Sequence, residues 1–252
     1  MMKKKVVNAL VVAALSGVPV ITSAGMTGNI GATSNYVWRG LTQTADDSAI
    51  SGGIDYSAPF GLSVGMWASN TSFGSPELDL YAGYSKEFGD FSVSAGYIGY
   101  LYPGIDDDPA TTNTNEAGSF DWTEASVGFG WKMLSLTYNF SDDTWNTGTD
   151  SSYIDLGAEF EVAKDLTLAV HVGKYDFDED DATLATFVND DYTDYSISLA
   201  SGDFTITYSD TNLPEDTYLD PAAGYGGSDD YYAADDDYRV VVTYSKEFDL
   251  LK

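Results

Sequence analysis

Residues 153–162, Tyr-Ile-Asp-Leu-Gly-Ala-Glu-Phe-Glu-Val, alternate between polar and apolar side chains. Successive side chains of a β-strand point to opposite faces, so Ile154 and Leu156 share an apolar face while Asp155 and Glu159 share a polar one. A soluble β-sandwich turns such an apolar face toward a dry core, whereas a membrane barrel turns it toward lipid and keeps the polar face around a lumen. The rest of the chain decides between these two folds.

The same two-faced pattern recurs in twelve segments of about ten residues. A tilted membrane strand needs roughly 9 to 11 residues, and single-chain bacterial barrels have an even number of strands. The regular length and the even count therefore favour the membrane barrel over a soluble β domain. The predicted strands span residues 26–39, 48–58, 62–71, 77–88, 91–102, 120–131, 133–141, 151–162, 166–176, 192–200, 203–211 and 238–248.

Short and long connections alternate along the chain. Because antiparallel strands reverse direction at each connection, the short ones gather at one end of the sheet and the long ones at the other. Short periplasmic turns and longer extracellular loops are typical of outer-membrane barrels, which predicts that both termini are periplasmic. The short connections are residues 59–61, 89–90, 132–133, 163–165 and 201–203; the long ones are 40–47, 72–76, 103–119, 142–150, 177–191 and 212–237.

Aromatic side chains lie near the ends of the predicted apolar faces, where a bilayer interface would place them. In the first strand, Trp38 is predicted to share the outward face with Ile30 and Tyr36, and Arg39 to lie on the inward face. An open sheet edge would leave backbone groups unpaired in lipid, so the sheet has to close. We predict an all-β fold, a transmembrane antiparallel up-and-down β-barrel of about twelve strands. The predicted interface aromatics are Trp38, Tyr84, Tyr97, Trp131, Phe140 and Phe160.

The N-terminus has the pattern of a secretory signal peptide. Residues 3–5 are lysines, residues 6–20 are apolar and rich in alanine, and small residues follow them. No later run approaches the roughly 20 apolar residues that a transmembrane helix requires. The predicted organisation is a signal peptide over residues 1–24 and a single barrel domain over residues 25–252, in the outer membrane of a Gram-negative bacterium.

The chain is strongly acidic. Removing residues 1–24 takes away three of its 11 basic residues and none of its 40 acidic ones. The resulting excess of negative charge repels nucleic acid and attracts cations. A hydrophobic content of 43%, with 14% aromatic residues, is too high for a disordered acidic chain. Cysteine is absent, so the exported chain is held together without disulfides.

Charged residues fall on the predicted inward faces and near the predicted outer mouth. Arg39 and Arg239 flank the seam between the first and last strands, and Glu77 and Asp79 begin a descending strand. An acidic mouth faced by two arginines would favour cations. The same groups could instead form salt bridges that fill the lumen, because twelve strands lie between filled and open barrels. The predicted pore-lining residues are Arg39, Asp55, Glu77, Asp79, Glu124, Asp155, Glu159, His171, Asp194 and Arg239.

The three longest predicted loops, residues 103–119, 177–191 and 212–237, are rich in acids. Dense carboxylates suit Ca²⁺ or Mg²⁺. The EF-hand template nevertheless fails from Asp176, since its sixth position is Asp181 and not glycine. We expect solvated loops with at most loosely bound divalent ions, and no other cofactor. The candidate ligands are Asp106, Asp107, Asp108, Asp178 and Asp180.

An enzymatic function is not expected. His171 is the only histidine, and the alternation points it inward in mid-strand. A phospholipase-type barrel needs a histidine that takes the proton of a serine, and catalysis in such enzymes sits near the lipid-facing surface. We interpret His171 as a hydrogen-bonded residue of the barrel wall.

Three sequence blocks carry a resemblance to a known family: Ser-Asn-Tyr-Val-Trp-Arg-Gly at residues 34–40, Glu-Leu-Asp-Leu-Tyr-Ala-Gly-Tyr at 77–84 and Gly-Tyr-Ile-Gly-Tyr-Leu-Tyr-Pro at 96–103. Together they resemble the TorF-type porin family of bacterial outer-membrane barrels. The resemblance implies a porin that contacts outer-membrane lipid and lipopolysaccharide and is inserted by the barrel-assembly machinery. The chain departs from this pattern at its end, where Asp-Leu-Leu-Lys follows the aromatic Phe248.

The predicted function is passive diffusion of small solutes or ions across the outer membrane, with a preference for cations. The alternative is a narrow or plugged barrel that acts structurally or adhesively through its acidic surface loops. The sequence leaves the oligomeric state open.

Overall fold

Strands make up most of the described chain, which comprises residues 25–72, 74–103, 121–178, 191–213 and 238–251 of a computed structural model. A 3₁₀ turn spans Thr144–Asn146, and within the described ranges no helix is long and apolar enough to cross a membrane. The strands are β1 (Gly25–Thr33), β2 (Val37–Trp38), β3 (Leu41–Thr42), β4 (Ala49–Ser57), β5 (Leu62–Ser69), β6 (Glu77–Phe88), β7 (Phe91–Leu101), β8 (Trp122–Trp131), β9 (Leu134–Ser141), β10 (Ser151–Ala163), β11 (Leu166–Phe177), β12 (Tyr192–Ser201), β13 (Phe204–Thr211) and β14 (Arg239–Leu251).

Twelve of these strands form one closed antiparallel barrel. Each pairs with its neighbours in chain order, and β1 closes the sheet by pairing with β4 on one side and β14 on the other. Met26 lies opposite Leu251 at this seam, and Thr33 lies opposite Thr243. The predicted fold class and strand number are confirmed.

The two ends of the barrel differ. The strands are joined by tight turns at the end where β1 begins and β14 finishes, which we call the turn end. The other end, the loop end, carries the longer connections, so short and long connections alternate as predicted. The predicted signal peptide and most of the predicted loops 103–119, 177–191 and 212–237 lie outside the described residues.

The outer surface of the barrel is apolar and the inner surface is polar. On β10, the side chains of Ile154 and Leu156 are 44% and 49% exposed, whereas Asp155 between them is only 1% exposed. The same alternation runs along the other barrel strands, as the strict period of two requires. Five of the six predicted interface aromatics are exposed on this outer surface: Tyr84, Tyr97, Trp131, Phe140 and Phe160.

The first predicted strand is wrong beyond Thr33. Residues 34–44, which we call the lumen hairpin, leave the wall and fold into the barrel at the loop end. Val37–Trp38 pairs with Leu41–Thr42, and Arg39 and Gly40 turn the chain with φ of 47° and 80°. An extended strand has negative φ, so this turn cannot continue a wall strand. The predictions of an outward Tyr36 and Trp38, and of a polar connection over residues 40–47, are therefore wrong.

The hydrophobic core of the molecule lies inside the barrel, around the lumen hairpin. Leu41 is 1% exposed and Trp38 is 8% exposed. The hairpin is held in shape by its own hydrogen bonds, from Thr42 Oγ1 to Asn35 Oδ1 at 2.7 Å and from the Gln43 N–H to the Tyr36 carbonyl at 2.6 Å. The buried core side chains are Trp38, Leu41, Tyr100, Tyr102, Trp122, Tyr153, Tyr175, Tyr192 and Leu213.

Gly40 should be required for this packing. A Cβ added there would clash with Thr211 Cγ2 and with Asp194 Cβ, whereas one added at Gly74 would meet nothing within 4 Å. Both glycines have positive φ, near 80°. Gly40→Ala should therefore lower the free energy of unfolding by about 1 to 3 kcal/mol more than Gly74→Ala, because only the former overpacks the interior.

Urea unfolding of the two variants in detergent micelles, followed by tryptophan fluorescence, measures this difference. Equal losses of stability would mean that the lumen hairpin is not packed against β12 and β13 as described.

Candidate functional site

A cavity of about 720 Å³ occupies the lumen between the lumen hairpin and the turn end. Trp38 and Arg39 border it at the loop end, and Asp203 and Glu247 border it near the turn end. Serine and threonine side chains line much of the wall between them. This cavity is the candidate site.

The lumen hairpin is anchored by a buried ion pair. The guanidinium of Arg39 donates two parallel hydrogen bonds to the carboxylate of Glu124 on β8, at 2.9 and 2.8 Å. Both side chains are 2% exposed. Tyr100 donates a further hydrogen bond to Glu124 at 3.0 Å, and the guanidinium carbon lies 4.0 Å from the centre of the Tyr153 ring. Arg39 therefore crosses the lumen, and its predicted place on the wall of the first strand is wrong.

Glu77 forms a second anchor. Its two carboxylate oxygens accept hydrogen bonds from the phenols of Tyr36, at 2.5 Å, and Tyr102, at 2.6 Å. Tyr36 belongs to the lumen hairpin and Glu77 begins β6, so this contact ties the hairpin to a strand that is separated from β8 only by β7. Glu77 is 3% exposed.

Arg239 forms a third anchor at the barrel seam. Its Nε donates to Asp46 Oδ1 at 2.8 Å, and the same oxygen accepts a hydrogen bond from Asn35 Nδ2 at 2.6 Å. Arg239 begins β14, so it connects the base of the lumen hairpin to the last strand. Both arginines thus hold the hairpin in place. Arg39 belongs to the hairpin, and Arg239 belongs to the wall.

His171 lies between two carboxylates on the inner wall. Its Nδ1 is 2.8 Å from Asp155 Oδ2, and its Nε2 is 2.7 Å from Asp194 Oδ1. Tyr153 donates to the other oxygen of Asp194 at 2.9 Å. The Nε2 contact has the geometry of a hydrogen bond, whereas the Nδ1 contact is a short approach without it. The arrangement cross-links β10, β11 and β12, which agrees with the interpretation of His171 as a wall residue.

The remaining predicted residues lie on other parts of the wall. Asp55 accepts hydrogen bonds from Tyr81, at 2.5 Å, and Asn29, at 3.5 Å. Glu159 lies nearer the turn end and lines the cavity. Asp79 also lines the cavity and is only 7% exposed, and among the described residues its Oδ1 has no hydrogen-bond partner.

Sequence reasoning missed the tyrosines that donate to these acids. Tyr81, Tyr100 and Tyr153 occupy inward positions of strands, so the alternation of side chains could have predicted that they face the lumen. The other tyrosines lie in or beside the loop-end core. The alternation carried no such signal for Tyr36, whose predicted direction was outward. Among the described residues, the phenols that reach carboxylates in the lumen are Tyr36, Tyr81, Tyr100, Tyr102 and Tyr153.

The predicted divalent-ion sites are mostly untested. Across the described ranges, no group of three or more histidine and acidic residues is arranged to hold a metal ion. Asp178 is described, and its backbone N–H donates to the Asp150 carbonyl at 3.0 Å. Asp106, Asp107, Asp108 and Asp180 lie outside the described residues.

The family profile described as "Bacterial protein of unknown function (Gcw_chp)" matches residues 21–247. The chain belongs to the Gcw_chp family. The match takes in every barrel strand, with only the last residues of β14 beyond it. The TorF-type name stays a prediction, and the sequence matches no curated protein.

Solved structures resemble the Gcw_chp barrel in fold. A structure from work on in-meso crystallization of membrane proteins has a TM-score of 0.51 at 7% identity, covering 89% of this chain and 83% of that one. The NanC porin has a TM-score of 0.49 at 12% identity, covering 88% and 98%. OccK2 of Pseudomonas aeruginosa has a TM-score of 0.39 at 16% identity, covering 91% and 68%. At 7% identity, the likeness to the first of these structures concerns the fold alone.

Breaking the Arg39–Glu124 pair should destabilise the barrel strongly. Glu124→Ala leaves a buried guanidinium without its carboxylate, and such a loss costs about 3 to 5 kcal/mol. Asp203→Ala is a suitable control, because it removes an ion pair with Lys246 in which both side chains are at least 36% exposed. Exposed pairs contribute only about 0 to 1 kcal/mol.

The free energies of unfolding of both variants can be compared by urea titration in the same micelles. A loss no larger in Glu124→Ala than in Asp203→Ala would contradict the anchoring role of the pair.

Proposed function

We propose that this Gcw_chp barrel spans the outer membrane of a Gram-negative bacterium and passes small cationic solutes by diffusion. The apolar outer surface supports the membrane location, because a closed barrel with outward apolar side chains satisfies both its backbone and its lipid-facing groups in a bilayer. The turn end and both termini would face the periplasm, and the loop end the exterior. The chain would then meet outer-membrane lipid, lipopolysaccharide and the barrel-assembly machinery.

The charge of the lumen is the observation that carries the proposed cation preference. Among the described side chains that line the cavity, only Arg39 and His171 are basic, and both already contact carboxylates. A low-dielectric wall with one sign of charge concentrates ions of the opposite sign. The acids that line the cavity are Asp55, Asp79, Glu159, Glu161, Asp165, Asp194, Asp203 and Glu247.

The proposed selectivity can be tested in a planar bilayer under a KCl gradient. The wild type should give a cation-selective reversal potential. Glu159→Gln with Glu161→Gln should move that potential toward zero, because two carboxylates leave the cavity wall. Glu87→Gln with Asp90→Asn should leave it unchanged, since these acids do not line the cavity. Selectivity that responds equally to both pairs, or an anion-selective wild type, would contradict the proposal.

A plugged barrel that acts through its surface loops is a second candidate, which one observation favours. The lumen hairpin and its aromatic neighbours fill the interior at the loop end. In this candidate the barrel inserts correctly and gives no conductance steps. In the proposed channel, small solutes pass beside the hairpin or when it is displaced.

Weakening the hairpin distinguishes the two candidates further. Arg39→Gln removes the paired guanidinium and should raise the conductance or the open fraction several-fold, because the hairpin loses its bond to Glu124. Lys246→Gln, at an exposed ion pair, should behave as the wild type. A conductance that Arg39→Gln leaves unchanged would mean that the hairpin does not obstruct the conducting route.

A further inference from the structure

We propose that Asp79 is the anionic end of a binding site for primary ammonium ions inside the lumen. Asp79 lines the cavity, yet it is 93% buried, since only 7% of its surface is exposed. Within the part of the chain that the structure describes, its Oδ1 accepts no hydrogen bond. Burying a carboxyl group without a donor is costly when the group is ionised, so a ligand that brings a donor and a positive charge to the cavity side of Asp79 stabilises the ionised form.

The phenols around Asp79 cannot supply that donor, because each has one proton and has given it elsewhere. Tyr81, two residues along β6, donates to Asp55 at 2.5 Å. Tyr100 lies opposite Asp79 on β7 and donates to Glu124 at 3.0 Å.

The two phenols next to Glu77 are committed in the same way. Tyr36 and Tyr102 donate to its two oxygens, at 2.5 and 2.6 Å. Arg39 uses both terminal nitrogens of its guanidinium for Glu124, and its Nε, although buried without a partner among the described residues, makes no hydrogen bond to Asp79. Asp79 is therefore the acid of this group that receives no proton from the side chains around it.

The surroundings of Asp79 also favour an organic cation over a metal ion. Trp67 lies directly opposite Asp79 on β5, and its ring packs edge to face against Tyr36, with centroids 5.5 Å apart. Trp67 and Tyr36 both line the cavity. An alkylammonium ion could place its N–H groups on Asp79 and its carbon chain on these rings, where cation–π attraction adds to the binding. A metal ion would need several more oxygen ligands, and no such group is arranged among the described residues.

This inference deepens the proposed function and rests on it, because it names the class of cation that the lumen would pass. A primary amine has up to three N–H donors, so it can satisfy Asp79 while keeping contact with water or with the hydroxyl groups of the wall. A single carboxylate on the route gives a weak site, which a diffusing solute can leave.

The test uses the folded full-length barrel in detergent micelles and n-butylammonium chloride as the probe, followed by titration calorimetry at constant ionic strength. The wild type should bind the probe saturably. Asp79→Asn keeps the shape of the side chain and removes its charge, and it should weaken binding by about tenfold or more, the usual size for a charged hydrogen bond. Glu159→Gln removes an equal charge from the cavity wall, and it should weaken binding less than about threefold.

Neutral n-butanol, which has the same carbon chain, should bind far more weakly than the ammonium ion. Equal affinity of wild type and Asp79→Asn, equal losses in both variants, or equal binding of n-butanol would each overturn the site. Native migration of each variant on unheated gels verifies that it is folded.

Reversal potentials of the same preparations separate this inference from the proposed function. A cation-selective potential without saturable butylammonium binding overturns the ammonium site and leaves the proposed channel intact. Saturable binding that depends on Asp79, in a barrel without conductance, supports the site and overturns the channel.

Discussion

Backbone hydrogen bonding is the constraint on which the rest of the structure depends. In a hydrocarbon environment an unpaired N–H or C=O group is too costly, so a sheet that enters a bilayer must close on itself. β1 meets this requirement by pairing with β4 and β14. Once the sheet is closed, the alternation of side chains sends every second residue inward. The lumen therefore receives the inward acids of β4, β6, β8, β10, β12 and β14, and its chemistry follows from that crowding.

The lumen hairpin is stable inside the barrel because its one cation meets a matched partner. Burying a guanidinium is unfavourable unless a carboxylate and further hydrogen bonds surround it. Arg39 donates two hydrogen bonds to Glu124, and Tyr100 donates a third hydrogen bond to the same carboxylate. The ring of Tyr153 covers one side of the guanidinium. This arrangement lets the lumen hairpin place Trp38 and Leu41 in the interior packing of the loop end.

The tyrosines of the lumen determine which of its carboxylates accept a hydrogen bond. A phenol donates one hydrogen bond and is compact enough to reach a carboxylate across the lumen. Glu77 and Asp55 are satisfied in this way, whereas Asp79 is left without a donor. Acids with donors cross-link the wall, while the proposed transport uses Asp79 and the acids nearer the turn end. The inward carboxyl groups thus serve both the structure and the proposed transport. Those that accept a hydrogen bond from a phenol serve the structure, and the others serve the proposed transport.

The sequence by itself determined the number of strands, their closure, the alternation of short and long connections and the inward direction of Asp55, Glu77 and Asp155, because all of these follow from a period of two and from spacing. Only the tertiary structure decided the course of residues 34–44. That segment alternates as a wall strand does, and the groups that draw it inward are distant: Glu124 lies 85 residues from Arg39 along the chain. No local pattern can indicate such a partner, so the fold was predictable and the contents of its lumen were not.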